Sequence, residues 1–348
     1  MKKKQIIILG MILGVLLAGT ALKILVRKSD SRTMREAQLF GDTAFHFEPG
    51  AVERILLGNG TKTSVELVKV NGRWEVESRW RVAAMEGKVI NFLEKIRGIR
   101  WELRAKGENF LPDFGISDEE AYFIRLMGAG KTPLPDLMVG TKPAGSSGHF
   151  LRRASSDEIY FTDTNMAELF GILRGFPGPV PSGDYWADLA LFNINIDRVL
   201  SVVAERFTEG KERVPVLGIR RESIGSDPSK NPWHFTRGEN VAKTVDPEKA
   251  LKLFVMLDSI RGRTVLDPNG NDYGLDAPVL EIAVLEKDRP EVRVTVSPKN
   301  AEGDAYFVKF SNRQQVFKLS ANDFQDMDIK DEQLLKEAPA AQASPKAP

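Results

Sequence analysis

Cysteine is absent from this 348-residue chain. That absence excludes disulfides, thiolate metal sites, cysteine nucleophiles and a lipid-attachment cysteine together. Histidine is scarce: His46, His149 and His234 are the only residues for imidazole chemistry. None has an Asp, Ser or His partner at catalytic or metal-binding spacing, so all three read as exposed or satisfied structural residues. An excess of either charge is also missing. Lys plus Arg number 49 against 48 for Asp plus Glu, so no net field recommends a nucleic acid or an acidic polymer as partner. What is present suits a globular chain, 42% hydrophobic and 28% charged, with length enough for two ordinary domains.

The N-terminus, "MKKKQIIILGMILGVLLAGTALKILVRK", places three lysines before Ile6–Leu22, a run of 17 residues without charge. Extended through Val26, with Lys23 snorkelling to the interface, the run has 21 residues. That is roughly 31 Å of helix, enough for a hydrocarbon core of about 30 Å. The rival is a cleaved signal peptide, because Gly19 and Ala21 are small residues at a cleavage spacing. The run exceeds the roughly 7–15 residues of a signal core, which favours an uncleaved anchor over residues 1–28. Lys2, Lys3 and Lys4 before the span nearly balance Lys23, Arg27, Lys28 and Arg32 after it. Because a short tail stays inside easily and long domains cross regardless of charge, the bulk of the chain is expected outside the cytoplasm. This gives a single pass through the inner membrane by way of residues 6–26. At the other end, "KEAPAAQASPKAP" has no periodicity, and residues 329–348 are expected to be a disordered tail.

The mass between these ends repeats itself. "NGRWEVE" resembles "NPWHFTR", Trp74 answering Trp233, and "MEGKVINFLEKIRGI" matches "DPEKALKLFVMLDSIRGR", each an amphipathic helix. Phe114-Gly115 and Tyr273-Gly274 follow at the same offset as Trp74 and Trp233, 159 residues (74 to 233, 114 to 273). "GHFLRRASSDEIYFTDT" parallels "AYFVKFSNRQQVFKLSA", two alternating strands around a polar turn. Each half opens on a similar strand, "VERILLG" and "IDRVLSV". Five matches in one order indicate two modules, over 29–175 and 184–328, parted in the Pro- and Gly-rich "RGFPGPVPSGD".

Several motifs suggest chemistry. "LMGAGKTPLP" ends in Gly130-Lys131-Thr132, which would close a phosphate-binding loop, yet Arg125 stands where the loop's first glycine belongs. Pro133 and Pro135 oppose the helix that must follow. The corresponding "LEKDRPEV" has no glycine, so Gly128–Thr132 reads as a hairpin turn and no nucleotide is expected. Asp267, Asn269, Asn271 and Asp272 resemble part of a calcium loop, but position 12 counted from Asp267 is Pro278 rather than Glu. Asp118, Glu119 and Glu120 read as a solvated acidic loop face. The sequence therefore nominates no catalytic residue, no metal ligand and no cofactor.

Trp74, Trp80, Trp101, Phe123, Trp233, Phe235 and Phe254 read as core packing, with Phe92 on the helix face Val89-Phe92-Leu93-Ile96. A groove for a lipid or glycan would look the same in sequence. Tyr185 and Trp186 stand apart, between the modules, and are the candidate interaction residues, although burial at the module junction is the favoured reading of the two.

The chain resembles the domain of unknown function 4340 family. The likeness lies in "NDYGLDAPVLEIAV" (Asn271–Val284) and "YWADLALFNINIDRVLSV" (Tyr185–Val202), and extends over Val52 to Asp326. The first module departs from it, with Phe114 for Tyr and no proline at the matching place in "PDFGISDEEAYFIRL". The resemblance implies an envelope protein encoded beside ABC-2-type transporters, and no catalytic residues. The expectation is thus an α+β protein in which an N-terminal transmembrane helix precedes two tandem β-rich modules, each a mainly antiparallel sheet with one packed helix. Trp74, Phe114, Gly115, Trp233, Tyr273 and Gly274 are its structural landmarks. The expected function is non-enzymatic, as accessory or scaffold to an envelope ABC-type transporter's permease and ATPase subunits. The alternative is a lipid- or polysaccharide-binding module.

Overall fold

The structure is a computed structural model. It describes residues 47–335 except 145–147, 173–174, 176–177, 180, 209–211, 225–230, 238–239, 242 and 271. These residues form two antiparallel sheets and few helices. The first sheet contains β1 (Arg54–Asn59), β2 (Lys62–Val70), β3 (Arg73–Val76), β4 (Val82–Ala83), β5 (Glu102–Lys106), β6 (Tyr122–Met127), β7 (Pro133–Ala144), β8 (Gly148–Arg153) and β9 (Glu158–Thr162), ordered β4-β3-β2-β1-β6-β7-β8-β9-β5. The second contains β10 (Val199–Phe207), β11 (Arg213–Arg220), β12 (His234–Phe235), β13 (Thr264–Leu266), β14 (Leu280–Glu286), β15 (Val292–Val296), β16 (Ala305–Phe310) and β17 (Val316–Ser320), ordered β12-β11-β10-β14-β15-β16-β17-β13. From β3 to β5 the first order repeats in the second, strand for strand. The described residues cluster into two compact units. One takes residues up to Ser78 and Ala84–Trp186; the other takes Arg79–Ala83 and the residues from Ala187 onward.

These observations correct the expected fold class. Rather than α+β, the described residues are mainly antiparallel sheet, with α1 (Glu86–Arg97), α2 (Met166–Phe170), α3 (Pro247–Ser259) and α4 (Ala321–Met327) as their α-helices. No helix among them is long and apolar enough to cross a membrane. The longest has 13 residues, roughly 20 Å, against the roughly 30 Å a span requires. The expected anchor, Ile6–Val26, lies outside the described residues, as does the expected tail from Lys336 onward; its first part, residues 329–335, is instead structured, with a 3-10 turn at Asp331–Leu334 and Ile329 and Leu334 buried. The membrane and signal-anchor expectation thus finds no support among the described residues and is not carried further.

Period-2 alternation forms the strands. In β14 every second residue is buried, from Leu280 through Ile282 and Val284 to Glu286, so one face of the ribbon points inward. The period changes to 3.6 in the two long helices. Helix α1 buries Val89, Phe92, Leu93 and Ile96, and α3 buries Ala250, Leu253, Phe254 and Leu257 at identical spacing. Helix α3 starts cleanly because Pro247 occupies its first turn and the Asp246 carboxylate accepts from the Glu248 and Lys249 amides at 2.9 and 3.2 Å.

The Phe-Gly and Tyr-Gly corners match as well. Phe114 packs edge-on against Phe150 of β8, with ring centroids 4.6 Å apart, and Tyr273 packs against Phe307 of β16 at 5.1 Å. Gly115 and Gly274 are both left-handed, φ 67° and 64°. Their surroundings differ. A Cβ on Gly115 would lie 2.6 Å from Thr141 Oγ1, whereas one on Gly274 meets nothing closer than Pro298 at 3.5 Å. Gly274→Ala should therefore cost about 1–2 kcal/mol for the left-handed backbone alone, and Gly115→Ala should cost more. Urea denaturation of the two variants tests this; equal losses would mean that the crowding at Thr141 relaxes freely.

Candidate functional site

In each unit a cavity opens where two neighbouring hairpins turn. In the first, β6 ends at Met127 and the chain returns in β7 from Pro133. Gly130 and Lys131 are both left-handed, at φ 64°, a backbone twist that suits a tight turn between antiparallel strands. The Gly128 amide donates to Thr132 O at 2.9 Å and the Lys131 amide to Gly128 O at 3.1 Å. A strand follows Lys131, not the helix whose N-terminus a phosphate loop relies on, so the Gly-Lys-Thr segment is a hairpin turn. In the second unit β14 ends at Glu286, the turn passes through left-handed Asp288 (φ 60°), and β15 begins at Val292.

The first cavity, about 780 Å³, is an open groove. The strand ends contribute Leu126, Met127 and Leu134 to its walls, and Arg125, Lys131 and Arg153 bring positive charge. Arg125 Nε donates to Asp136 Oδ2 at 2.7 Å across the β6–β7 ladder, and its guanidinium lies 5.2 Å from the Phe123 ring. The Arg153 guanidinium lies 5.1 Å from the Trp101 ring, which stacks on Tyr160 at 4.1 Å. One carboxylate therefore faces three cations, over an aliphatic floor.

The second cavity is smaller, about 190 Å³. Phe192, Ile194, Val284, Pro290 and Val292 give it an apolar wall, Asn193 and Asn312 add amide groups, and Arg313 enters from the β16–β17 turn. The one acid in its lining, Glu286, is 8% exposed and fully engaged. Its Oε1 accepts from the Asn195 amide at 2.7 Å and its Oε2 from Arg289 Nη1 at 2.6 Å.

The two cavities occupy equivalent places. Each lies between the ends of the third-to-last hairpin pair, β6–β7 or β14–β15, and the turn that follows β8 or β16. The cross-strand partners Arg125 and Asp136 line the first, and the cross-strand partners Val284 and Val292 line the second. A cross-strand ion pair thus lines one cavity and a cross-strand apolar pair lines the other. Duplicated architecture carries two different linings.

The residues nominated from sequence lie elsewhere. Trp186 is 1% exposed and packs edge-on against Phe92 of α1, centroids 5.2 Å apart. Tyr185 is half-buried beside it, with Lys88 Nζ 3.8 Å above its ring and donating to its carbonyl at 2.6 Å. Burial and the nearby Glu168 charge raise the Tyr185 hydroxyl above the ordinary tyrosine range. The pair thus forms packing within the first unit, with only Tyr185 partly open. Trp74 is buried in β3, and Trp233 packs on Phe254 at 5.1 Å with the Arg221 guanidinium 4.9 Å above its ring. Asp118 pairs with the buried Arg152, whose Nε also donates to Ile116 O at 2.6 Å. Asp267 Oδ1 accepts from the Asn269 amide at 2.9 Å, capping its own turn; Asn271 lies outside the described residues, as does His46. Among the described residues no cluster of three or more His, Asp or Glu could hold a metal.

No protein-family model, curated protein or solved structure matches the chain. Both hairpin turns, β6–β7 and β14–β15, are legible in the sequence, but that the β8–β9 turn stands beside the first and the β16–β17 turn beside the second follows only from strand pairing.

Two outcomes follow from this geometry. The Trp186 indole N–H is buried with no acceptor among the described residues. Trp186→Phe, which deletes that N–H together with part of the ring, should therefore cost less than Trp186→Ala, for which about 3–5 kcal/mol is expected. Similar losses in chemical denaturation would mean that the N–H is satisfied. His149, buried in β8, has its pKa lowered by burial. The unfolded chain therefore takes up a proton that the fold resists, and stability should fall as pH drops below about 6.5. His149→Gln should flatten that slope in denaturation series from pH 7.5 to 5.

Proposed function

We propose that this chain is a non-enzymatic accessory protein that acts by binding, as a scaffold beside the permease and ATPase of an envelope ABC-type transporter. The observation that carries the binding role is the pair of cavities at equivalent hairpin ends, lined by guanidinium, ammonium and aliphatic groups. These side chains hold ligands and partners through charge and contact. The carboxylates nearest to them, Asp136 and Glu286, are engaged by Arg125 and Arg289, which leaves neither poised as a general base. The transporter association rests on the resemblance in "NDYGLDAPVLEIAV" and "YWADLALFNINIDRVLSV" to the domain of unknown function 4340 family. Placement outside the cytoplasm belongs to the same proposal.

The open groove of the first unit is large enough for part of an anionic lipid or acidic glycan, and its three cations favour that alternative over a neutral ligand. Purification of the C-terminally tagged chain at native expression should recover a permease and an ATPase. The double variant Lys131→Glu/Arg153→Glu should reduce that recovery about tenfold or more if the groove is the contact. Recovery of the chain alone overturns the scaffold role. Undiminished recovery with the double variant removes the groove from it.

A further inference from the structure

We propose that the cavity of the second unit is a binding site for a carboxylate carried on a short branched aliphatic body. The site is an instance of the binding role proposed above and rests on it. Its cationic end is Arg313. The Arg313 Nη1 group donates to Ala190 O at 2.9 Å, and the guanidinium lies 5.2 Å from the Phe310 ring and 5.9 Å from the Phe317 ring. Those contacts fix its plane. Among the described residues no carboxylate stands within ion-pairing distance of it, and its remaining N–H groups have no protein acceptor. Desolvation lowers the Arg313 pKa, with Asp188 opposing the shift through its more distant charge. A cation held partly out of water without an adjacent anion is a cost to the fold, one that a bound anion offsets.

The cavity's other features select which anion. Its single acid, Glu286, is neutralised by Arg289 and the Asn195 amide, so it does not repel a carboxylate. Ile194, Val284, Val292 and Phe192 form an aliphatic and aromatic wall, which favours a body of a few methyl and methylene groups over a bare inorganic ion. About 190 Å³ is less than drug-sized pockets offer, and suits one such group. The guanidinium fork matches a planar carboxylate in bidentate geometry. The groove of the first unit differs, since the Arg125–Asp136 ion pair lines it.

The same chemistry is carried by a free branched-chain acid and by a leucine at a peptide's C-terminus. Calorimetric titration of the full chain with isovalerate, N-acetyl-leucine, isovaleramide and inorganic phosphate separates the cases, with the Arg313 side-chain ¹⁵N resonance as a local readout. Isovalerate or N-acetyl-leucine should bind and shift that resonance, isovaleramide should not, and the tighter of the two acids identifies the source. Arg313→Ala should weaken binding about tenfold or more. Arg313→Lys, which keeps the charge and loses the fork, should weaken it less and covers the case in which the alanine variant fails to fold. Arg289→Ala should also weaken binding, by leaving the Glu286 charge facing the cavity. The site is overturned if neither acid binds, if isovaleramide or phosphate binds as well as isovalerate, or if Arg313→Ala folds and binds normally. Each of these results is independent of whether transporter subunits are recovered with the tagged chain, so either proposal can fail alone.

Discussion

Burying one face of an antiparallel sheet under an amphipathic helix of 12 or 13 residues is the constraint from which each unit follows. The alternation in β14 and its neighbours commits every second side chain to the interior, and the stripe Val89, Phe92, Leu93, Ile96 or Ala250, Leu253, Phe254, Leu257 supplies the opposing surface. A one-residue slip would expose the whole buried set. Register is therefore held tightly, and the hairpin ends fall at defined places. Turns cannot be buried, since their backbone groups need water or special partners. The cavities arise there because adjacent turns leave space that neither strand fills.

Two copies of this arrangement share one strand order and differ in what lines their turn ends. The first cavity is lined by the cross-strand ion pair Arg125–Asp136 with Arg153 at the β8–β9 turn, the second by the cross-strand partners Val284 and Val292 with Arg313 at the β16–β17 turn. Core positions resist such change because packing penalises altered volume, whereas turn ends tolerate it. Divergence of binding chemistry on a preserved scaffold is the expected outcome.

Electrostatics divides the two sites further. In the open groove, charges face solvent, and pairs such as Arg125–Asp136 contribute little to stability and more to recognition. In the smaller cavity Arg313 is partly desolvated between Phe310 and Phe317, where an unpaired charge is costly and a ligand's charge is correspondingly effective. Trp186 shows the same economy in a neutral group: its ring secures α1 while its N–H goes unmatched.

Local features were legible from sequence because they depend on neighbours in the chain. The helix faces, the matching Phe114-Gly115 and Tyr273-Gly274 landmarks, the turn at Gly130-Lys131 and the order of recurring segments all follow from periodicity and backbone sterics over a few residues. The preponderance of sheet over helix was not legible, since the two amphipathic helices are conspicuous in sequence while the many short strands become evident only when paired. Tertiary structure alone decided that Trp186 packs on Phe92, that Arg152 is buried against Asp118 and Ile116, and that Arg313 stands beside Val284 and Val292. Those contacts join residues separated by tens of positions, and no local propensity carries information about which distant side chain a strand's register will set beside it.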